Sequence, residues 1–185
     1  MLFLHNLFYV HLDVKPTNFL VDSEGKIKLA DFGMTKKYNT TILSDDIEGD
    51  STYISKEVLT SKNLIDIKNK SDLFSLGLSY IELLFKVELP KSGPLWIKLR
   101  EGEFIIDNEI IKNANFNVAM NMIHIINALI NPIADNRPNT DEIIMKIPEL
   151  SMRYSNYMSG KYIRAVNPKM FSFKQMRKNN FSPMK

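Results

Sequence analysis

Residues 11–33 read HLDVKPTNFLVDSEGKIKLADFG, and they bring four chemically capable side chains into one short span: Asp13, Lys15, Asn18 and Asp31. Pro16 cannot continue a helix, so it fixes an irregular loop over residues 11–18. Residues 19–21 and 26–29 predict two short strands, joined by the turn Asp22-Ser23-Glu24-Gly25, in which Gly25 can take positive φ. Lys26, Ile27, Lys28 and Leu29 alternate, which predicts a hairpin with one buried face. Such a hairpin returns the chain so that Asp31 can lie near Asn18.

These side chains suit phosphoryl transfer. That reaction needs a metal to neutralise phosphate charge, a group to orient the attacking hydroxyl, and a cation near the developing charge. Asp31 and Asn18 offer hard oxygen ligands of the kind magnesium takes. Asp13 can accept a hydrogen bond from a substrate hydroxyl, and Lys15 can reach the transferring phosphate. Each piece alone is common: a lone Asp near an Asn usually marks a turn. The ordered set around a hairpin of this length is specific.

The segment resembles the catalytic loop of eukaryotic protein kinases followed by their Asp-Phe-Gly motif. The resemblance implies Asp13 and Lys15 as catalytic residues, Lys15, Asn18 and Asp31 as contacts to ATP, and Asn18 and Asp31 as Mg2+ ligands. Lysine two residues after the aspartate is the serine/threonine-type pattern. Leu12 departs from the family, which places there an arginine that holds a phosphorylated activation segment; activation by that route is therefore not expected. Tyr38, Thr40, Thr41 and Ser44 then read as plain loop residues. Residues 31–57 would be the activation segment, closing on Ser55-Lys56-Glu57 where the family has Ala-Pro-Glu. Asp50 stands where serine/threonine kinases mostly carry threonine, and its carboxylate could pair with Lys15.

Residues 71–85 predict a helix buried on several sides, capped by Ser71 or Asn69. Gly77 in its middle costs roughly 1 kcal/mol against alanine, which points to close packing. Asp72 near its start needs hydrogen-bond partners; the resemblance implies the backbone of the catalytic loop, and the helix dipole alone would also favour an acid there. Residues 95–101 predict a short helix carrying Trp96, a residue type more often core or cover than binding platform. Residues 115–130 predict an amphipathic helix with Ala119, Met122, Ile123, Ile126, Leu129 and Ile130 on one stripe and His124 off it. Asn139 and Glu142 are spaced as a capping box. The resemblance pairs Arg137 with Glu57, and makes His11, Glu57, Asp72 and Arg137 structural supports.

The stretches HLDVKP, EGDS, FSLGLSYIELL and LPKSGPLWIKLREG are together similar to the Wee/Myt family of inhibitory kinases. That likeness implies a negative regulator of mitotic entry that phosphorylates cyclin-dependent kinase, with the nucleus as its compartment and the cytoplasm as the alternative. The fold it implies is mainly α with a short β-hairpin, a kinase large lobe over residues 1–148 with the small lobe absent. No glycine-rich phosphate loop or Val-Ala-Ile-Lys-like strand precedes residue 11, so a fragment with little activity alone is expected. A catalytically inactive kinase-derived binding module is the alternative.

Bulk properties agree with a folded domain. The 185 residues are 44% apolar and 24% charged, without cysteine, which excludes disulfides and thiolate metal sites. No apolar run is long enough to span a bilayer. The opening MLFLHNLFYV lacks the basic start and cleavage site of a signal peptide and reads as a buried segment. Residues 151–185 carry eight Lys/Arg and no Asp/Glu, leaving the rest with 16 basic and 21 acidic residues. Residues 149–185 therefore read as a basic, partly disordered tail on an acidic body. Such a tail could contact nucleic acid, a phosphorylated partner or a membrane surface, but a solvated extension is the simpler reading, and nucleic acid is not expected as a partner.

Overall fold

The computed structural model describes residues 1–37, 50–60, 69–103 and 116–147, with side chains from Met122 onward in the last of these. Residues 38–49, with Tyr38, Thr40, Thr41 and Ser44, and residues 148–185, which include the basic tail over 149–185, lie outside the described residues, as does the side chain of Ala119. Helix α1 (Leu2–Asn6) leads into strand β1 (Tyr9–Val10), a 3-10 turn (Pro16–Asn18), strands β2 (Phe19–Val21) and β3 (Ile27–Leu29), and strand β4 (Lys36–Lys37). Helices α2 (Lys56–Thr60), α3 (Lys70–Phe85), α4 (Pro94–Arg100), α5 (Phe116–Leu129) and α6 (Thr140–Lys146) follow, with a 3-10 turn (Ala134–Asn136) before the last. Residues 1–143 form one compact unit; the second, residues 144–185, is described only through its share of α6.

The architecture is mainly α, and α3 is its axis. It is buried on several sides: Leu73, Phe74, Leu78, Ile81 and Phe85 are all fully buried, and Leu83 near its end is exposed. Three serines share this interior, and two return their hydroxyls to the turn before, Ser75 Oγ to Ser71 O (3.1 Å) and Ser79 Oγ to Ser75 O (2.8 Å). That local bonding satisfies a buried hydroxyl without a distant partner. The helix begins after Asn69, as its composition suggests, but no side-chain bond caps it; it ends at Lys86, which turns left-handed at φ 53°.

Helix α5 packs on α3 through Ile126 and Ile130, joined in the core by Leu89 and Leu99, with Met122 and Ile123 at the margin. Burying each such aliphatic side chain stabilises by roughly 1.5–3 kcal/mol. His124 is exposed, off the stripe. Gly77 is the point of closest approach: a Cβ there would lie 2.8 Å from Ile130 Cγ2 and 2.9 Å from Leu129 Cβ. At the far end, Glu142 Oε2 accepts the Asn139 N–H at 2.6 Å, one arm of a capping box.

Two small antiparallel pairs frame the loop between residues 11 and 18. One pairs β2 with β3 in the register Phe19–Leu29, Leu20–Lys28 and Val21–Ile27. Asp22 builds its turn, accepting the N–H groups of Glu24 (3.0 Å) and Lys26 (2.9 Å) on Oδ1, with Gly25 at φ 75°. The expected buried face of this hairpin is absent among the described residues. Phe19 and Leu29 are half-buried at its base, but Val21 and Ile27 on the same face are 68% and 72% exposed, because no described element covers the tip. The other pair joins β1 to β4 across the 25 residues between them, Tyr9 with Lys37 and Val10 with Lys36; β4 is two lysines long and carries no strand signature.

Gly77→Ala tests the α3–α5 contact. The intrinsic gain of roughly 1 kcal/mol from alanine is outweighed by overpacking of about 1–3 kcal/mol, because both opposing atoms belong to buried residues. A net loss of stability in chemical denaturation is expected; a gain would mean that the helices do not meet there.

Candidate active site

The loop is hung from α3 by one carboxylate. Asp72, 1% exposed, accepts the His11 N–H on Oδ2 and the Leu12 N–H on Oδ1, both at 2.8 Å. His5 Nε2 donates to the same Oδ2 at 2.9 Å, and its Nδ1 meets the Thr140 hydroxyl at 2.9 Å. Leu12 takes φ 65°, a left-handed conformation that costs a leucine of order 1–3 kcal/mol and persists only where the surroundings impose it. The bonds to Asp72 from its own N–H and from that of His11 impose it.

From this support the loop places three of the sequence-derived residues together. Asp13 Oδ2 accepts from Asn18 Nδ2 at 2.8 Å, and Asp13 Oδ1 lies 3.0 Å from Lys15 Nζ. Asn18 Nδ2 also donates to the Asp13 carbonyl at 2.7 Å. Both amide protons of Asn18 are thus spent on Asp13, and among the described residues nothing donates to its Oδ1.

Asp31 is joined to this group through its neighbours. Ala30 N–H donates to Asn18 O at 2.9 Å, His11 Nε2 donates to Ala30 O at 3.1 Å, and the Phe32 ring meets the His11 ring edge-on at 5.2 Å. Asp31 itself sits at φ 59°, exposed, with Oδ1 accepting the Gly33 N–H at 3.2 Å. His11 is the hub between the two halves. Its ring is buried; its Nδ1 accepts the Asp13 N–H at 3.3 Å while Nε2 donates. That is the pattern of a neutral imidazole. Desolvation pulls its pKa below the ordinary 6.5, although Asp72, the Ala30 carbonyl, Asp13 and Asp31 all pull the other way.

Asp50 borders the site. One oxygen accepts the Thr52 N–H at 3.0 Å and the other lies 4.0 Å from Lys15 Nζ. Burial opposes ionisation of Asp50, but the bonds from Thr52 and the cations of Lys15 and Lys91 outweigh it and hold the carboxyl below its usual range. Glu57 and Arg137 meet at the base: Arg137 Nη1 and Nη2 reach the two carboxylate oxygens at 2.5 and 3.0 Å. Arg137 is 1% exposed, further held by the Asn131 and Lys70 carbonyls at 2.7 and 2.9 Å, and lies 4.8 Å over the Phe74 ring.

Three contributors carry no mark in the motif reading. His5 and Thr140 complete the shell of Asp72. Arg100, four residues after Trp96 on α4, reaches the backbone beside Asp50; the i, i+4 spacing of a cation and an aromatic was the available signal.

A family model described as the protein kinase domain matches residues 1–147. The chain belongs to the protein kinase domain family. Among curated relatives, the mitosis inhibitor protein kinase mik1 of Schizosaccharomyces pombe is 34% identical over 157 residues, 80% of this chain and 26% of that protein. The mitosis inhibitor protein kinase wee1 of the same yeast is 32% identical over 157 residues, 77% of this chain and 17% of that protein. The membrane-associated tyrosine- and threonine-specific cdc2-inhibitory kinase of Drosophila melanogaster is 31% identical over 142 residues, 76% of this chain and 25% of that protein. The chain thus spans about a quarter or less of these relatives, and it is a Wee-like kinase domain by this similarity. Among the described residues no helix is long and apolar enough to cross a membrane.

The kinase domain's donor set fits magnesium with a nucleotide. Among the described residues no three His, Cys, Asp or Glu side chains gather into a metal cluster. Magnesium bound with phosphates does not need one: one or two protein oxygen ligands suffice, with phosphates and water filling the rest. Asn18 Oδ1 and the exposed Asp31 carboxylate are such oxygens.

Two predictions follow from the supports. Glu57→Ala leaves Arg137 buried and unpaired, so a loss of about 3–5 kcal/mol in urea denaturation is expected. His11 governs a pH dependence. The unfolded chain takes up the imidazole proton near pH 6.5, the folded kinase domain only at lower pH. Between those values the unfolded state binds more protons, so stability falls as pH drops below 6.5 and levels off beneath the folded value. Stability measured from pH 7.5 to 5 should lose part of this slope in His11→Gln; an unchanged slope would place the titration elsewhere.

Proposed function

We propose that this chain carries the catalytic half of a protein kinase that transfers the γ-phosphoryl group of ATP to a protein hydroxyl. Its similarity to mitosis inhibitor kinases favours cyclin-dependent kinase as the protein substrate and the nucleus as the compartment. The single observation that carries the reading is the Asp13–Asn18–Lys15 cluster, in which both Asp13 oxygens are already oriented and the Asn18 amide oxygen is left for a ligand.

Bound Mg-ATP would supply the phosphoryl group and the positive charge that makes its transfer possible. The chain's residues do the positioning. Asp13, fixed between Lys15 and Asn18, has lone pairs to accept the proton side of an incoming hydroxyl and to aim its oxygen. Lys15 Nζ, 3.0 Å from Asp13, brings a cation to the place where an acceptor and a phosphate would meet. Asn18 and Asp31 would hold Mg2+ from the two ends of the hairpin. Leu20, exposed on one face of that hairpin, would give the apolar part of a nucleotide a surface to bury, and Val21 and Ile27, exposed on the other face, would give one to a covering lobe.

Thermal shift with Mg-ATP tests this. At a ligand concentration ten times Kd, about 1.4 kcal/mol of stabilisation is expected for the wild type, and none for Asp31→Ala. A wild type that gains nothing at millimolar Mg-ATP, or a variant that gains as much, would overturn the assignment.

A further inference from the structure

Residues 50–53 form a tight turn in which the carbonyls of Ser51, Thr52 and Tyr53 are taken by side chains from two helices. The Tyr53 N–H closes it on the Asp50 carbonyl at 2.9 Å, and Asp50 Oδ1 holds the Thr52 N–H from inside at 3.0 Å. From α3, Ser75 Oγ donates to Tyr53 O at 2.8 Å and Glu82 accepts the Tyr53 hydroxyl. From α4, Trp96 Nε1 donates to Ser51 O at 2.9 Å. Arg100 Nη2 donates to the same Ser51 O at 2.6 Å and to Thr52 O at 3.2 Å. The guanidinium lies 3.6 Å over the Trp96 ring, and its Nη1 returns to Trp96 O at 3.1 Å.

Arg100 is unusual in what it lacks. It is 3% exposed, and among the described residues no carboxylate is placed to offset its charge and its Nε has no partner. Desolvation pulls its pKa down to about 10, so it stays cationic at neutral pH while bearing the cost of burial. A buried cation without a counter-charge is expensive, and an aliphatic side chain would fill the same space without that cost. What the aliphatic residue could not supply is the fork that binds two consecutive carbonyls.

We propose that Arg100 is a positioning residue of the acceptor site: with Trp96 it clamps the Ser51 and Thr52 carbonyls, and so holds the turn that presents Asp50 to Lys15. Asp50 is the element this clamp aims. Its second oxygen stands 4.0 Å from Lys15 Nζ, which in turn lies 3.0 Å from Asp13. A hydroxyl-bearing peptide entering beside Asp13 meets this carboxylate at a fixed distance, so Arg100 acts on acceptor placement through a backbone that it grips from behind. Its link to an acceptor rests on the kinase reading above; the clamp itself does not.

The test uses the full chain with Arg100→Met, Arg100→Lys and Asp50→Asn. Trp96 is the sole tryptophan, so its emission reports the stacked guanidinium without a label. Amide hydrogen exchange at Thr52 and Tyr53 reads the turn, exchange in α3 controls for folding, and the Lys15 13Cε resonance reads Asp50. In Arg100→Met, exchange at Thr52 and Tyr53 should rise about tenfold, the equivalent of one charged hydrogen bond, with α3 unchanged. Trp96 emission should shift, and the Lys15 resonance should move in the direction seen for Asp50→Asn. Arg100→Lys, which keeps the charge and one donor nitrogen but not the planar fork, should recover part of each change. Asp50→Asn should leave Trp96 emission at its wild-type value. Wild-type exchange and an unmoved Lys15 resonance in Arg100→Met, or changes that only follow α3, would make Arg100 an ordinary core residue and overturn the proposal. If Arg100→Met does not fold, Arg100→Lys decides in the same way, with about threefold faster exchange expected for the lost fork. None of these readouts uses nucleotide, so a failed Mg-ATP titration would overturn the kinase reading and leave the clamp standing.

Discussion

A buried carboxylate on α3 sets the geometry of the site. Asp72 is 1% exposed and accepts three donors, two of them consecutive N–H groups of the loop. An ionised carboxylate in such a place costs several kcal/mol unless its lone pairs are filled. Each charge-assisted bond returns roughly 1.5–3 kcal/mol, so the acid and the loop backbone stabilise each other and neither is comfortable alone. The left-handed Leu12 is the visible strain of that arrangement. Asp13 follows it directly, so the same two backbone bonds place its backbone, and Asn18 and Lys15 then orient its carboxylate.

The same helix governs the segment that faces the loop. Ser75, one turn beyond Asp72, and Glu82, two turns further, hold Tyr53. Lys70, in the first turn, exchanges hydrogen bonds with Arg137, which carries Glu57 at the start of α2. One helix thus bears on both the group proposed to orient an acceptor and the turn that borders it. Helix α4 holds the same turn through Trp96 and Arg100, so the relative position of the two depends on side chains of both helices. The close approach at Gly77 seats α3 against α5, which removes the remaining freedom on its far side.

Legibility in the sequence follows the range of each interaction. The loop with Asp13, Lys15 and Asn18 is contiguous, so its grouping can be read without tertiary information. The helices α3 and α5 are readable from the period of their apolar residues. What cannot be read is pairing with backbone. A carbonyl exists at every residue, so nothing in the sequence marks Ser51 and Thr52 as the acceptors of Arg100, and Trp96 reads as ordinary cover. Strand β4 is equally silent: two lysines become a strand only because Tyr9 and Val10 offer an edge. The alternation in β3 suggests a buried face, yet alternation reports what a face could bury and not whether a neighbour arrives. Ile27, 72% exposed, is that distinction in one residue.

Leu12 shows how a change of chemistry can leave a constraint in place. Where other kinases carry an arginine, this chain has a leucine that is 8% exposed and clusters with Val10 and Val58, with Met34 and Ile54 packed against them. Met34 lies near the start of the segment over residues 31–57 and Ile54 near its end. One apolar contact therefore draws both ends of that segment toward the loop. A charged residue at this position would need a counter-charge to do the same, and its hold would vary with salt and with the state of that partner. Burial of a leucine is worth roughly 1.5–3 kcal/mol and depends on neither. With Arg100 gripping carbonyls at residues 51 and 52, the described ends of the segment are fixed by packing and by backbone bonds, interactions that require no added phosphate. An arginine at position 12 would set a charge among Val10, Val58, Met34 and Ile54 and so lose the apolar contact that joins them.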